Sequence, residues 1–222
     1  DDKIVDPASW TEFMPTDVTK SVFKRFIKYY DSEIFVAAGR SIRNKVKGAD
    51  ELNPTERIKA ITQLFAGFKN PDKETVLTPW RVVNMHMSDC LGGYDFYDVE
   101  HNTLIEMPRF VNQGTVTADT LANSNAQILE INSKTGLYPL YVTYSIYRTK
   151  CTEYAEDELT LELQEKLWND TVENNIFVVC KTPMAKQITK RTLVGYKNVK
   201  VNAHYFEDLI NMLKNKPKQF KD

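Results

Sequence analysis

Ile128-Leu129-Glu130-Ile131-Asn132-Ser133-Lys134-Thr135-Gly136-Leu137-Tyr138 is the stretch on which the fold turns. A short apolar run ends in an acid and passes into a polar turn with one glycine. That pattern predicts a strand whose carboxyl end opens into a ligand cradle. The acid can hold a charged or hydroxyl-bearing group, and the glycine lets backbone approach closely. Glu130, the turn residues Asn132 and Ser133, and Gly136 are therefore candidate binding residues. The run also suits a buried strand and its exit turn, because one glycine falls short of a dinucleotide fingerprint.

Working outward toward the carboxyl end, residues 137–148 are rich in tyrosine and read as a helix packed on a sheet. Leu159, Leu163 and Leu167 mark another helix. Asn175-Ile176-Phe177-Val178-Val179-Cys180 is apolar enough for a buried strand, and Thr182 and Pro183 then cap and open a helix through Leu193. Val199-Lys200-Val201 gives a third short strand before a helix over residues 206–213. Strand, helix, strand, helix, strand is the grammar of a parallel, doubly wound sheet, with strands expected near 127–131, 175–180 and 198–202.

Toward the amino end, Thr78 and Pro79 should cap and open a helix that stops at Gly92-Gly93. Residues 94–127 carry short β-like pieces, with a hairpin expected around Asn112-Gln113-Gly114. The first ~70 residues read as helical. Val18, Val22, Phe23, Phe26, Ile27 and Tyr30 place one apolar stripe against a core. A second helix starts at Asn53-Pro54-Thr55-Glu56, where Asn53 caps and Glu56 completes a capping box. Its stripe is Ile58, Ile61, Leu64, Phe65 and Phe68. Asn70-Pro71-Asp72-Lys73 breaks the pattern, so an appended helical segment over 1–74 and an α/β domain over 75–222 are expected. Lys20, Lys24, Arg25, Lys28, Arg40, Arg43, Lys45 and Lys47 suit a solvated helix face or a phosphate backbone.

Composition is that of an ordinary globular chain. The 222 residues are 42% hydrophobic and 27% charged, with 29 basic against 30 acidic side chains, so whole-chain charge announces no polyanion partner. Cys90, Cys151 and Cys180 are odd in number and scattered, which argues against a disulfide framework or a zinc knuckle. His86, His101 and His204 are isolated, and no metal site is expected. No window of about 18 apolar residues and no signal peptide pattern is found, so no membrane partner and a cytoplasmic location are expected. The chain begins Asp1-Asp2-Lys3, as an excised fragment would.

Taken in order, the Thr-Pro helix, the acid-polar-turn-Gly-x-aromatic loop and the strand followed by x-x-Pro-x-Ala-x-x-Ile-x-x-x-x-Leu resemble the S-adenosylmethionine domain of adenine-specific DNA methyltransferases of restriction-modification systems. The resemblance covers residues 75 to about 209. It implies that Thr78, Pro79 and Trp80 close the methionine end of S-adenosylmethionine. It also implies that Glu130 replaces the loop's aspartate, Gly136 its second glycine and Tyr138 its aromatic. Three departures accompany it. Lys134 stands where the family has its first glycine. Cys180, followed by Lys181, stands where an acid would hold the ribose hydroxyls. Ala203 or His204 stands where another acid would meet the adenine amino group. Losing a bidentate ribose acceptor costs on the order of 1–3 kcal/mol, so the cofactor is expected to bind weakly.

Neither Asn-Pro-Pro-Tyr nor Asp-Pro-Pro-Tyr occurs, and that motif is what accepts and stacks a flipped adenine in the family. No catalytic residue is therefore assigned, and the chain alone is expected to be inactive. Three functions stay open. The first is the amino-terminal, cofactor-binding part of a DNA adenine methyltransferase whose partner is DNA. The second is a degenerate methyltransferase-like scaffold or DNA-positioning module. The third is a nucleotide-binding domain of another class, disfavoured because Gly-x-Gly-x-x-Gly is absent.

Overall fold

A computed structural model describes residues 5–14, 18–69 and 77–215. The elements run α1 (Pro7–Phe13), α2 (Lys20–Phe26), α3 (Ser32–Ala49), α4 (Pro54–Ala66), α5 (Trp80–Cys90), β1 (Gly93–Tyr97), β2 (Leu104–Val111), α6 (Thr115–Asp119), β3 (Ile128–Ser133), α7 (Leu137–Cys151), α8 (Leu161–Asn174), β4 (Ile176–Cys180), α9 (Pro183–Val194), β5 (Asn202–Tyr205) and α10 (Leu209–Asn215). The chain is thus α/β. Strands β3, β4 and β5 form a parallel sheet in that spatial order, and β1 and β2 form a separate antiparallel hairpin.

Alternation along the parallel strands decides which face is covered. Ile176, Val178, Cys180 and Ala203 are buried in the core with α7, α8 and α9. Leu129 and Ile131, pointing the other way, are each 58% exposed. The crossover helices α7, α8 and α9 lie on one face, so the described strands form a small parallel sheet wound on one side only, where a doubly wound sheet was expected. Helix α7 is buried almost all round, which explains its tyrosines. They fill volume while their hydroxyls reach partners: Tyr141 donates to the Gly92 carbonyl at 2.8 Å, Tyr144 meets Thr55 Oγ1 at 2.8 Å, and Tyr147 donates to Gln164 Oε1 at 3.2 Å.

The third strand departs from expectation. It occupies Asn202–Tyr205, with Phe177 opposite Asn202 and Cys180 opposite Tyr205, rather than residues 198–202. Asn202 sets this register by donating to the carbonyls of Glu173 (2.8 Å) and Ile176 (3.2 Å), while Val199 and Val201 pack at the core's margin before pairing begins.

The hairpin also turns elsewhere than expected. Its reversal lies over residues 98–103, where Asp98 N–H donates to the Thr103 carbonyl and Asp98 Oδ1 accepts from Asn102 N–H. Asn112 instead holds Gly114 N–H at 2.8 Å, and Gly114 starts α6. Helix α5 begins at Trp80, one residue late. Pro79 is extended at ψ 149° and its carbonyl takes the first helical bonds, which leaves Thr78 too far back to cap.

In the amino-terminal region, Asn53 caps α4 as expected, accepting from Glu56 N–H at 3.0 Å. The Glu56 carboxylate turns to Lys59 at 3.0 Å rather than closing a capping box. The stripe over residues 18–30 does not run as one helix. Asp31 accepts from Glu33 and Ile34 N–H and starts α3, which leaves Tyr30 extended and Phe26 54% exposed. Ile58 of α4 belongs to the same core as α7. Buried Arg57 donates to Asp50 and to the carbonyls of Arg191, Thr192 and Leu193, closing the carboxyl end of α9.

Candidate functional site

The loop leaving β3 is held rather than loose. Lys181 N–H donates to the Ser133 carbonyl at 2.9 Å, Ser133 Oγ meets Thr189 Oγ1 at 3.3 Å, and Thr192 Oγ1 donates to the Thr135 carbonyl at 2.6 Å. Asn132, at φ 76°, makes the bulge that turns the chain off the strand; a short polar side chain tolerates that conformation. Gly136 sits at φ 77° as the residue before α7. A Cβ there would stand 3.0 Å from Thr189 Cα, so glycine serves both the left-handed turn and the close approach of α9.

Around this loop lies a cleft at the carboxyl ends of β3 and β4. One part, about 460 Å³, is lined by Ile42, Val46, Phe65 and Phe68 on one side and by Lys134, Thr135, Lys181, Thr182, Met184 and Ile188 on the other. An adjoining part of about 480 Å³ shares Phe65, Phe68, Leu77 and Thr135, and adds Thr78, Pro79, Trp80, Arg81, Tyr97 and Leu137. Among the described residues, no Asp or Glu lines either part. In an open parallel sheet, the carboxyl ends of the strands are where ligands bind. Trp80 is only 5% exposed, packs 5.3 Å from the Phe96 ring, and has a buried Nε1 that lacks a hydrogen-bond partner.

Glu130 is elsewhere. It lines a smaller apolar pocket of about 320 Å³ with Met87, Leu91, Tyr138, Pro139, Val142 and Phe177, none of which lines the cleft. Burial pushes its carboxyl up to about 7, against a smaller opposing hydrogen bond from Ser133, and Oε2 has no partner. Tyr138 reaches His86 Nδ1 through its hydroxyl at 3.2 Å. Its phenol is raised by burial first and by Glu130 second.

The remaining candidates divide. Thr78, Pro79, Trp80 and Lys181 line the cleft, with Ser133 and Gly136 holding its floor against α9. Cys180 is buried, its thiol contacts Thr189 Oγ1 at 3.7 Å, and desolvation raises its pKa. That makes it a core side chain rather than a ribose acceptor. His204 lies within β5, opposite Val179, and stacks on Phe206 at 6.3 Å. Its exposed side chain therefore shares the uncovered face with Leu129 and Ile131. Asn132 is exposed past the bulge. The walls from α3 and α4 were missed by sequence reasoning. Their signal was the Ile61, Leu64, Phe65, Phe68 stripe, there assigned to an appended unit.

One buried polar cluster invites a catalytic reading and fails it. His101 Nε2 lies 2.8 Å from Asp95 Oδ2 and 3.3 Å from Ser88 Oγ. A relay needs the acid and the nucleophile on opposite ring nitrogens, whereas here both meet Nε2. Arg109 completes the pair with Asp95 at 2.6 Å, so the cluster staples the β1–β2 hairpin to α5.

No protein-family model matches this chain, nor does any curated protein or solved structure. Among the described residues, no helix is long and apolar enough to cross a membrane.

Proposed function

We propose that the chain is the cofactor-bearing part of a methyltransferase-like protein and that an adenosine-containing ligand, S-adenosylmethionine or its demethylated product, occupies the cleft. The observation that carries this reading is the convergence of three separate segments: the Thr78-Pro79-Trp80 entry to α5, the Ser133–Gly136 turn and the Lys181-Thr182 exit from β4. They meet at the carboxyl ends of parallel strands around an apolar space that suits a flat ring. Trp80, whose buried indole Nε1 lacks a partner, is part of that lining. S-adenosylmethionine would supply an electrophilic methyl group. The residues here would bind its adenosyl part, and methyl transfer itself is assigned to none of them.

DNA as the methyl acceptor, within a restriction-modification enzyme, follows from the motif resemblance and stands on that alone. The degenerate-scaffold reading is favoured by one observation: Cys180 and His204 place no carboxylate where a ribose would need it. Titration calorimetry on the chain separates the two. Micromolar binding of S-adenosylmethionine or its product, weakened by Met184→Trp in the cleft lining, supports the cofactor reading. No heat at millimolar ligand supports the scaffold.

A further inference from the structure

Charge is not spread evenly along this chain. Between residues 18 and 47, eight Lys and Arg stand against two acids, whereas the whole chain carries 29 against 30. All eight are exposed. The same segment holds the densest run of exposed large apolar side chains described: Phe26 (54%), Tyr29 (73%), Tyr30 (53%) and Ile34 (68%) sit within nine residues, at the bend between α2 and α3.

The cations and rings are interleaved. Lys28 Nζ lies 5.0 Å from the centroid of the Tyr29 ring, and Arg25 is one turn before Tyr29. On α3, Arg40, Asn44 and Lys47 recur at i, i+4 and i+7, which places them on one stripe turned away from the cleft-lining Ile42 and Val46. A merely solvated face needs the cations but not the rings. An apolar protein contact needs the rings but gains nothing from the excess charge. Exposed rings among cations suit a strand whose phosphates meet the cations and whose bases stack on the rings.

We infer that the bend between α2 and α3 binds a single-stranded nucleic acid, with phosphates along Arg25, Lys28, Arg40 and Lys47 and bases on Phe26, Tyr29 and Tyr30. This surface does not depend on a cofactor in the cleft, so a failure of the calorimetry above leaves it intact.

The test is fluorescence anisotropy with labelled DNA and RNA strands of about 16 nucleotides, and the matching duplex, titrated with the full chain between about 50 and 200 mM salt. Binding to either type of single strand, weakening with salt, is expected; the DNA and RNA arms tell which strand it prefers. The combined Arg25→Ala, Lys28→Ala, Arg40→Ala, Lys47→Ala variant should lower the log–log salt slope by about three. Tyr29→Ala with Tyr30→Ala should weaken single-strand binding about tenfold and leave the slope unchanged. Far-ultraviolet circular dichroism confirms that each variant is folded. The inference is overturned by no binding at the lowest salt, by equal duplex and single-strand binding insensitive to the two tyrosines, or by self-association of the chain that Tyr29→Glu abolishes.

Discussion

The two faces of the parallel sheet are built from alternate residues of the same strands, yet they live in different surroundings. On one face Ile176, Val178 and Ala203 are at most 3% exposed beneath α7, α8 and α9. On the other, Leu129 and Ile131 are 58% exposed, with His204 beside them. Apolar character alone therefore does not say which face carries the fold. Connectivity does, because both crossovers place their helices on the same side. The cleft inherits this asymmetry: its floor is the held β3–α7 loop on the covered side, and among the described residues none of its lining comes from the open face.

Mutation separates the two faces. Ile176→Ala should cost about 2–5 kcal/mol, because it empties a packed site under α7, and urea denaturation reads it directly. Gly136→Ala should cost about 2–4 kcal/mol, combining a left-handed backbone with overpacking against Thr189. Its loss should exceed that of Gly114→Ala, whose added Cβ meets nothing within 4 Å although its φ is 69°.

Protonation sharpens the same contrast on the covered face. Glu130 is raised from 4.5 to about 7, so its neutral form is the one the fold prefers. The folded state then holds more protons than the unfolded state between those values. Stability from this group is full below about pH 4.5, falls as pH rises toward 7 and is flat above, a change on the order of 3 kcal/mol at most. Thermal unfolding of the wild type and Glu130→Gln at pH 5 and 8 checks this; the variant should lose most of the difference. Leu129→Ala, on the open face, should be the mildest change, within about 0.5 kcal/mol. A loss comparable to that of Ile176→Ala would mean that the open face is covered in solution.

How much of this was legible in the sequence depended on how local each signal was. The strand expected near 127–131 and found at Ile128–Ser133, the helix opened by Thr182 and Pro183, and the Asn53 cap were legible because each is specified within a few residues. The third strand slipped because Val199 and Val201 look like strand residues, while the register is set by Asn202 bonding carbonyls about 26 to 29 residues away. The hairpin was misplaced because Asn-Gln-Gly carries a strong turn signal that is spent on starting α6. At the site, the loop and the Thr78–Trp80 entry were visible as motifs. The wall from α3 and α4 was not, because its contact with α9 is long-range and depends on Arg57 reaching three carbonyls. His204 fell on the open face for a simpler reason: it lies inside β5, opposite Val179, rather than past the strand's carboxyl end.

Amide chemical-shift mapping of the isotope-labelled chain during titration with S-adenosylmethionine tests whether the carboxyl-end cleft is the ligand site. Shifts are expected to cluster at Trp80 and Arg81, at Lys134 to Leu137 and at Lys181 to Ala185, with Leu129 and His204 unmoved. Shifts confined to the open face, or none anywhere at millimolar ligand, would contradict that assignment.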